Sequence, residues 1–247
     1  MRQTVIIIGA TSDIARATAM ELAKQYDLVL VGRNETELEA IASDLSVRSD
    51  CQVQTYLFDA RNLDTHAELV ATWFEEVDTV AGAVVCHGFL PEQTQAQRDW
   101  ELAHQTLDVN FISCVALLEP LMDRLESQQE SFLAVVSSVA GDRGRQSNYI
   151  YGAAKGGLSV YLQGLRNRGT KSGVHVLTVK PGFVATAMTI GLVDPKSPLV
   201  AAPEKVARDI VRGIRKRKNV IYSRWFWRYI MLVIRVIPEW IFKRLSL

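Results

Sequence analysis

Tyr151 and Lys155 stand four residues apart in Tyr-Gly-Ala-Ala-Lys, with Ser138 upstream in Val-Val-Ser-Ser-Val. If residues 149–168 form a helix, the pair shares one face and an ammonium can sit beside a phenol. A free phenol, with a pKa of about 10, is a poor proton donor or acceptor at neutral pH. A neighbouring lysine favours the phenolate and draws that value towards the working range, where general acid catalysis is most efficient. Ser138 ends an apolar run that reads as a buried strand, which aims its hydroxyl at a carbonyl oxygen held beside Tyr151. The chemistry on offer is proton transfer to a carbonyl. A hydrolase nucleophile at Ser138 is disfavoured, because the chain has no G-x-S-x-G elbow. His66, His87, His104 and His175 fall in separate segments without HExxH or Cys/His spacing, so no metal is expected. His87 is placed to line a cofactor pocket.

The elements that must carry these residues follow from the apolar pattern. Runs at 5–8, 28–31, 53–58, 80–86, 132–136 and 174–179 alternate with amphipathic segments of helical length. That alternation predicts a Rossmann-like, doubly wound parallel sheet, a three-layer α/β/α arrangement in a single domain. A chain of 247 residues fits one such domain. A net charge of +1 gives no field suited to nucleic acid. Cys51, Cys86 and Cys114 are odd in number and read as reduced core residues. The first residues enter a strand directly without the pattern of a signal peptide, so a cytoplasmic protein is expected.

The turn after the first strand, Gly9-Ala10-Thr11-Ser12-Asp13-Ile14-Ala15, is built from small residues at a strand–helix junction, where backbone N–H groups can face a pyrophosphate. Asp13 would repel that group unless its side chain turns away into a capping role, and Ser12 or Asp13 can serve as N-cap. The second strand ends in Gly32-Arg33-Asn34 with no carboxylate for a ribose hydroxyl. Arg33 suits a 2′-phosphate, which favours NADP(H) over NAD(H).

The ordered set Gly9, Arg33, Asp59, Asn110, Ser138, Tyr151-x-x-x-Lys155 and Pro181-Gly182 resembles the short-chain dehydrogenase/reductases over residues 4–190. The resemblance implies that Asp59, in Phe58-Asp59-Ala60, bonds the adenine and that Asn110 holds a water in a proton relay. It implies that Lys155 binds the nicotinamide ribose, and that the Val184 backbone and Thr186 hydroxyl, within the segment from Pro181 to Thr186, contact the nicotinamide amide. The family's Asn-Asn-Ala-Gly is here Val85-Cys86-His87-Gly88, which keeps only Gly88. Ketone reduction with NADPH is the implied reaction, and pairing through helices near 105–127 and 149–168 would give a homodimer or homotetramer.

Arg143, Arg145 and Asn148 lie between Ser138 and Tyr151, a stretch that in this family borders the substrate cleft, and the arginines suit an anion such as phosphate. The composition changes beyond the basic cluster 215–218, so the domain is drawn as 1–218 with an aromatic, basic amphipathic tail over 219–247. Only six uninterrupted apolar residues precede Arg235, against the roughly 20 that a membrane span needs. An in-plane helix making peripheral contact with a membrane fits better; packing on its own domain or on a sister subunit is the other reading. The loop and tail are similar to those of the decaprenylphosphoryl 2-keto-ribose reductases, which implies a lipid-linked keto-sugar phosphate as substrate and a flavin oxidase as partner. Reduction of 3-oxoacyl chains or of 3-ketosphinganine is the alternative. A non-catalytic nucleotide-binding scaffold is the reading from another class.

Overall fold

The computed structural model describes residues 2–245 other than 129, 192, 193 and 195. Short β-branched runs make seven strands: β1 (Thr4–Ile8), β2 (Asp27–Gly32), β3 (Val53–Leu57), β4 (Val80–Val85), β5 (Phe132–Val136), β6 (His175–Pro181) and β7 (Val220–Ser223). They form one parallel sheet in the order β3-β2-β1-β4-β5-β6-β7. Between them run α1 (Asp13–Leu22), α2 (Glu35–Ser49), α3 (His66–Glu75), α4 (Gln93–Ala96), α5 (Trp100–Leu107), α6 (Ser113–Glu126), α7 (Tyr149–Ser172) and α8 (Pro203–Arg215), and after β7 come α9 (Trp227–Val236) and α10 (Glu239–Phe242).

Alternation along each strand supplies both faces of the sheet. Ile6 and Ile8 of β1 point to one side, where Trp73, Leu117, Leu121, Leu158 and Leu162 from α3, α6 and α7 cover them. Val5 and Ile7 point to the other, beneath Ala15, Leu22, Leu38, Val206 and Ile210 from α1, α2 and α8. Each fully buried aliphatic side chain in these layers contributes about 1.5–3 kcal/mol. The strand order reverses between β1 and β4, so their carboxyl ends splay and open a crevice there.

One expectation about the chain's far end is corrected. The boundary at residue 218 falls just ahead of β7, which pairs with β6 from Thr178↔Val220 to Pro181↔Ser223 and belongs to the sheet. Four residues between a basic cluster and an aromatic run are too short for periodicity to mark as a strand. The cluster 215–218 is also separated from the tail. Arg217 donates to Gly173 O and Lys218 O accepts from His175, both at the amino end of β6, whereas α9 leaves from the carboxyl end of β7.

Candidate active site

A cleft of about 470 Å³ opens along the carboxyl ends of β1, β4, β5 and β6. The β1–α1 turn forms its floor. Gly9 has φ +77°, and a Cβ there would meet His87 N at 2.6 Å, so only glycine fits. Ser12 caps α1 by accepting from Ala15 N at 3.3 Å. Asp13 neither caps nor points at the turn: its Oδ2 accepts from Ala187 N across the cleft at 2.9 Å. Its carboxylate is thereby drawn off the helix N-terminus. Thr11, Ser12, Asp13 and Ile14 all line the cleft.

β5 and α7 deliver the reacting groups. Ser138, Tyr151 and Lys155 line the same cleft as the β1–α1 turn. Ser138 accepts from Ala140 N at 3.1 Å and so starts the short turn that follows β5. Ser137 anchors α7 to the strand by donating to Lys155 O at 3.0 Å. The Tyr151 phenol is pushed up to about 12 by burial, with the Ser138 hydroxyl pulling the other way. The depression expected from Lys155 is not seen. The ammonium lies 5.9 Å from the Tyr151 ring centroid and donates to Val136 O at 3.2 Å. Burial also draws the pKa of Lys155 down. The phenol therefore holds its proton at neutral pH, as a proton donor must.

Asn110 sits in a π-helical turn (residues 108–112) between α5 and α6. Its amide donates to Phe89 O at 2.6 Å and Thr106 O at 2.8 Å, and its Oδ1 accepts from Phe89 N at 3.2 Å. The side chain is thus spent on holding the loop after β4, including Gly88. A Cβ on Gly88 would meet Asn110 Oδ1 at 3.0 Å and Lys155 Nζ at 3.6 Å. His87 accepts from or donates to Ser113 Oγ at 3.0 Å, and burial pushes its pKa down to about 3, so the ring is neutral. Its Nδ1 is buried without a partner.

At the far end of the cleft Arg33 is exposed where β2 stops, outside the lining, and Asn34 caps α2. Arg16, which no sequence motif marks, does line the cleft, donating to Thr11 O at 3.1 Å and pairing with Glu37. Asp59 and Ala60 follow β3 outside the lining; Asp59 is exposed and accepts from Arg61 N at 2.9 Å, and Ala60 is core. At the other end Pro181, Gly182, Val184 and Thr186 all line the cleft. Thr186 is held in a reciprocal cap with Thr189.

The stretch before α7 divides. Arg145 and Asn148 line the cleft, with Arg145 Nε and Asn148 Oδ1 buried and unpartnered. Arg145 forms no ion pair among the described residues, and burial draws its pKa down against the pull of Asp142. The expectation that Arg143 binds substrate is overturned. Its guanidinium donates to Ile234 O at 2.6 Å and Ile237 O at 2.7 Å, pairs with Glu239 at 2.8 Å, and lies 3.6 Å over the Phe242 ring. These bonds close the end of α9, whose last carbonyls have no partners within the helix, and tie it to α10.

The tail also supplies a cleft wall that no motif announced. Trp227, the first residue of α9, is 4% exposed and stands edge-on to Phe183, with ring centroids 5.6 Å apart. A Cβ on Gly182 would lie 2.0 Å from its indole ring. Beneath it, buried Asp142 joins Lys180 at 2.5 Å and Tyr222 Oη at 2.9 Å, tying β6, β7 and the Ser138 turn together.

The chain as a whole is similar to known proteins. The short chain dehydrogenase family pattern matches residues 3–196. An uncharacterised oxidoreductase of Mycobacterium tuberculosis is 34% identical over 241 residues, covering 98% of this chain and 96% of that protein. One from Streptomyces coelicolor is 30% identical over 252 residues, with the same shares covered. A short-chain dehydrogenase from Sphingobium yanoikuyae, solved in complex with NADPH, shares the fold with a TM-score of 0.80 at 23% identity, over 96% of this chain and 97% of that one.

Proposed function

We infer, from the premise that this chain belongs to the short-chain dehydrogenase family, that it is an oxidoreductase that reduces a ketone to a secondary alcohol with NADPH. The observation that carries this reading is one cleft lined by Ser138, Tyr151, Lys155 and the amino end of α1. The residues fit the cofactor. The α1 terminus offers free N–H groups to a pyrophosphate, and Asp13 is turned away towards Ala187. No carboxylate ends β2, and Arg33 and Arg16 offer cations to a 2′-phosphate. Gly9, Thr11, Ser12 and Ile14 would hold the pyrophosphate, Asp59 and Ala60 the adenine, and Gly88, Tyr151 and Lys155 the ribose beside the nicotinamide. Pro181, Gly182, Val184 and Thr186 would hold the nicotinamide amide. The orphaned His87 Nδ1 suits a ribose hydroxyl.

When bound, NADPH supplies a hydride to the carbonyl carbon. Tyr151 gives its phenolic proton to the carbonyl oxygen, so that hydride and proton together make the alcohol. Ser138 orients that oxygen by hydrogen bonding. Lys155 is the cation near the phenolate left behind, and Asn110, whose side chain holds Phe89 beside Gly88, would keep the water that returns a proton to Tyr151.

The finer reading is a lipid-linked keto-sugar phosphate, produced by a flavin oxidase and reduced at the cytoplasmic face of a membrane. Arg145 supports an anionic substrate, because its Nε is buried without a hydrogen-bond partner and the residue has no ion pair among the described residues, which a ligand's anion would supply. Asn148 Oδ1 is an acceptor suited to a sugar hydroxyl. These two groups favour it over 3-oxoacyl chains or 3-ketosphinganine. Pairing through α5, α6 and α7 is supported by the exposed Trp100, Ile112 and Val160.

Fluorescence titration tests the cofactor. NADPH should bind at least tenfold more tightly than NADH, and Arg33→Ala should erase most of that preference, as loss of charge-assisted bonds worth about 1.5–3 kcal/mol predicts. No binding of either nucleotide would remove the enzyme reading. For the substrate, Arg145→Gln should raise KM for a phosphorylated ketone by roughly 10–100-fold and leave that for a neutral ketone nearly unchanged. Equal effects on both would end the anionic reading.

A further inference from the structure

We propose that the outward face of α9 and α10 is a docking surface for an anionic lipid bilayer, seating the protein with its reaction cleft beside the membrane. This deepens the reading of a lipid-borne ketone and rests on it for its purpose, but its own evidence is separate. On a helix turning ~100° per residue, Tyr229, Leu232, Val233 and Val236 span about 100° of arc, centred opposite the inward pair Trp227 and Met231. Trp225 and Trp240 stand at the two ends of this stripe. All six side chains are 56–72% exposed. Trp225 meets Tyr229 edge-on at 5.9 Å, so the face is a preformed aromatic ridge rather than a set of isolated residues.

Charge selects the occupant. Arg228 and Arg235 run along one edge of the stripe, and Lys243 and Arg244 follow α10. None of these four pairs with a carboxylate among the described residues; the lone acid of the segment, Glu239, is held by Arg143. A second copy on this face would bring the same unpaired cations against each other. An anionic bilayer instead receives the apolar ridge, lets the arginines reach the headgroups along their aliphatic stems, and suits tryptophan and tyrosine at its boundary. No helix among the described residues is long and apolar enough to cross a membrane, which leaves contact in the plane.

The same helix that would lie on the lipid is the wall of the cleft. Trp227 faces Gly182 and Phe183 on the inside while Tyr229 and Val233 face out, so about one helix diameter, ~10–12 Å, separates the surface from the reacting groups' chamber. A ketone carried on a lipid headgroup would have only that distance to travel.

The test is flotation of the full chain with phosphatidylcholine vesicles, with and without phosphatidylserine, at low and high salt. Wild type should bind the anionic vesicles at least tenfold more tightly than the neutral ones and release at high salt. The variant Tyr229→Ser/Val233→Ser/Val236→Ser should lose binding at least tenfold, with its melting temperature and NADPH titration unchanged. Absence of wild-type flotation, or flotation unaltered in the variant, would overturn the proposal. So would a dimer that ignores vesicles and dissociates in the variant, since a sister subunit would then cover the face. NADPH binding measured on the same samples reports separately on the reductase reading.

Discussion

Tyr151→Phe should lose about 10²–10⁴-fold in kcat, the worth of a positioned general acid, while NADPH binding and melting temperature stay close to wild type. The phenyl ring keeps its place in the first turn of α7, and only the oxygen that carries the proton goes. Burial holds that phenol at about 12, above the usual value near 10, so it is protonated throughout the neutral range. The sign follows for pH: the acid form is the working form in reduction, so the rate should be level through neutrality and fall only as pH rises past ~10 towards the raised value. Steady-state rates at saturating NADPH across pH test both statements. A fully active Phe variant, or a rate that rises on the alkaline side, would mean that another group donates the proton.

Gly182→Ala should have the second large effect, and it should act through the tail. The new Cβ would lie 2.0 Å from Trp227 Nε1 and Cε2, which no rotamer of a ring buried to 4% exposure can absorb in place. The indole must move, or β6 must. Overpacking of this kind costs about 1–3 kcal/mol, which in a chain of 247 residues lowers the melting temperature by several degrees. The cleft wall shifts with it, so kcat/KM should fall together with stability. Trp227→Ala alone should cost about 3–5 kcal/mol through the cavity it leaves. The double variant should be less destabilised than the two single losses combined, because each relieves what the other disturbs. Strict additivity in thermal melts would show that the two residues do not share this contact.

The parts of the molecule that depend on local pattern could be read in advance. Six strands appear where β-branched runs lie between helical periods, and α7 begins where Tyr151 and Lys155 required it. Ser138 and the β1–α1 turn reach one cleft because β1 and β5 both run parallel to the β4 between them, which brings their carboxyl ends to the same end of the sheet. What escaped depends on contacts between distant segments. Arg143 looked like Arg145, but the carbonyls at the end of α9 take one and the cleft takes the other. Trp227 is one aromatic among several in its segment, and nothing short of the fold distinguishes the ring against Gly182 from its exposed neighbour Trp225. The phenol shift went in the other direction because burial outweighs the pull of the Ser138 hydroxyl, while the ammonium spends a hydrogen bond on Val136.

The order in which the chain is made gives the Asp142, Tyr222 and Trp227 arrangement a temporal meaning. Domains fold largely as units while synthesis proceeds from the amino end. The nucleotide turn, the proton donor and six strands are all synthesised before β7, yet the cleft wall and the second partner of Asp142 arrive only with residues 222–227. A nascent chain stalled before that point would expose a buried carboxylate–lysine pair and the flank of β6. The cleft wall can thus close only after β7 and the first turn of α9 have been made.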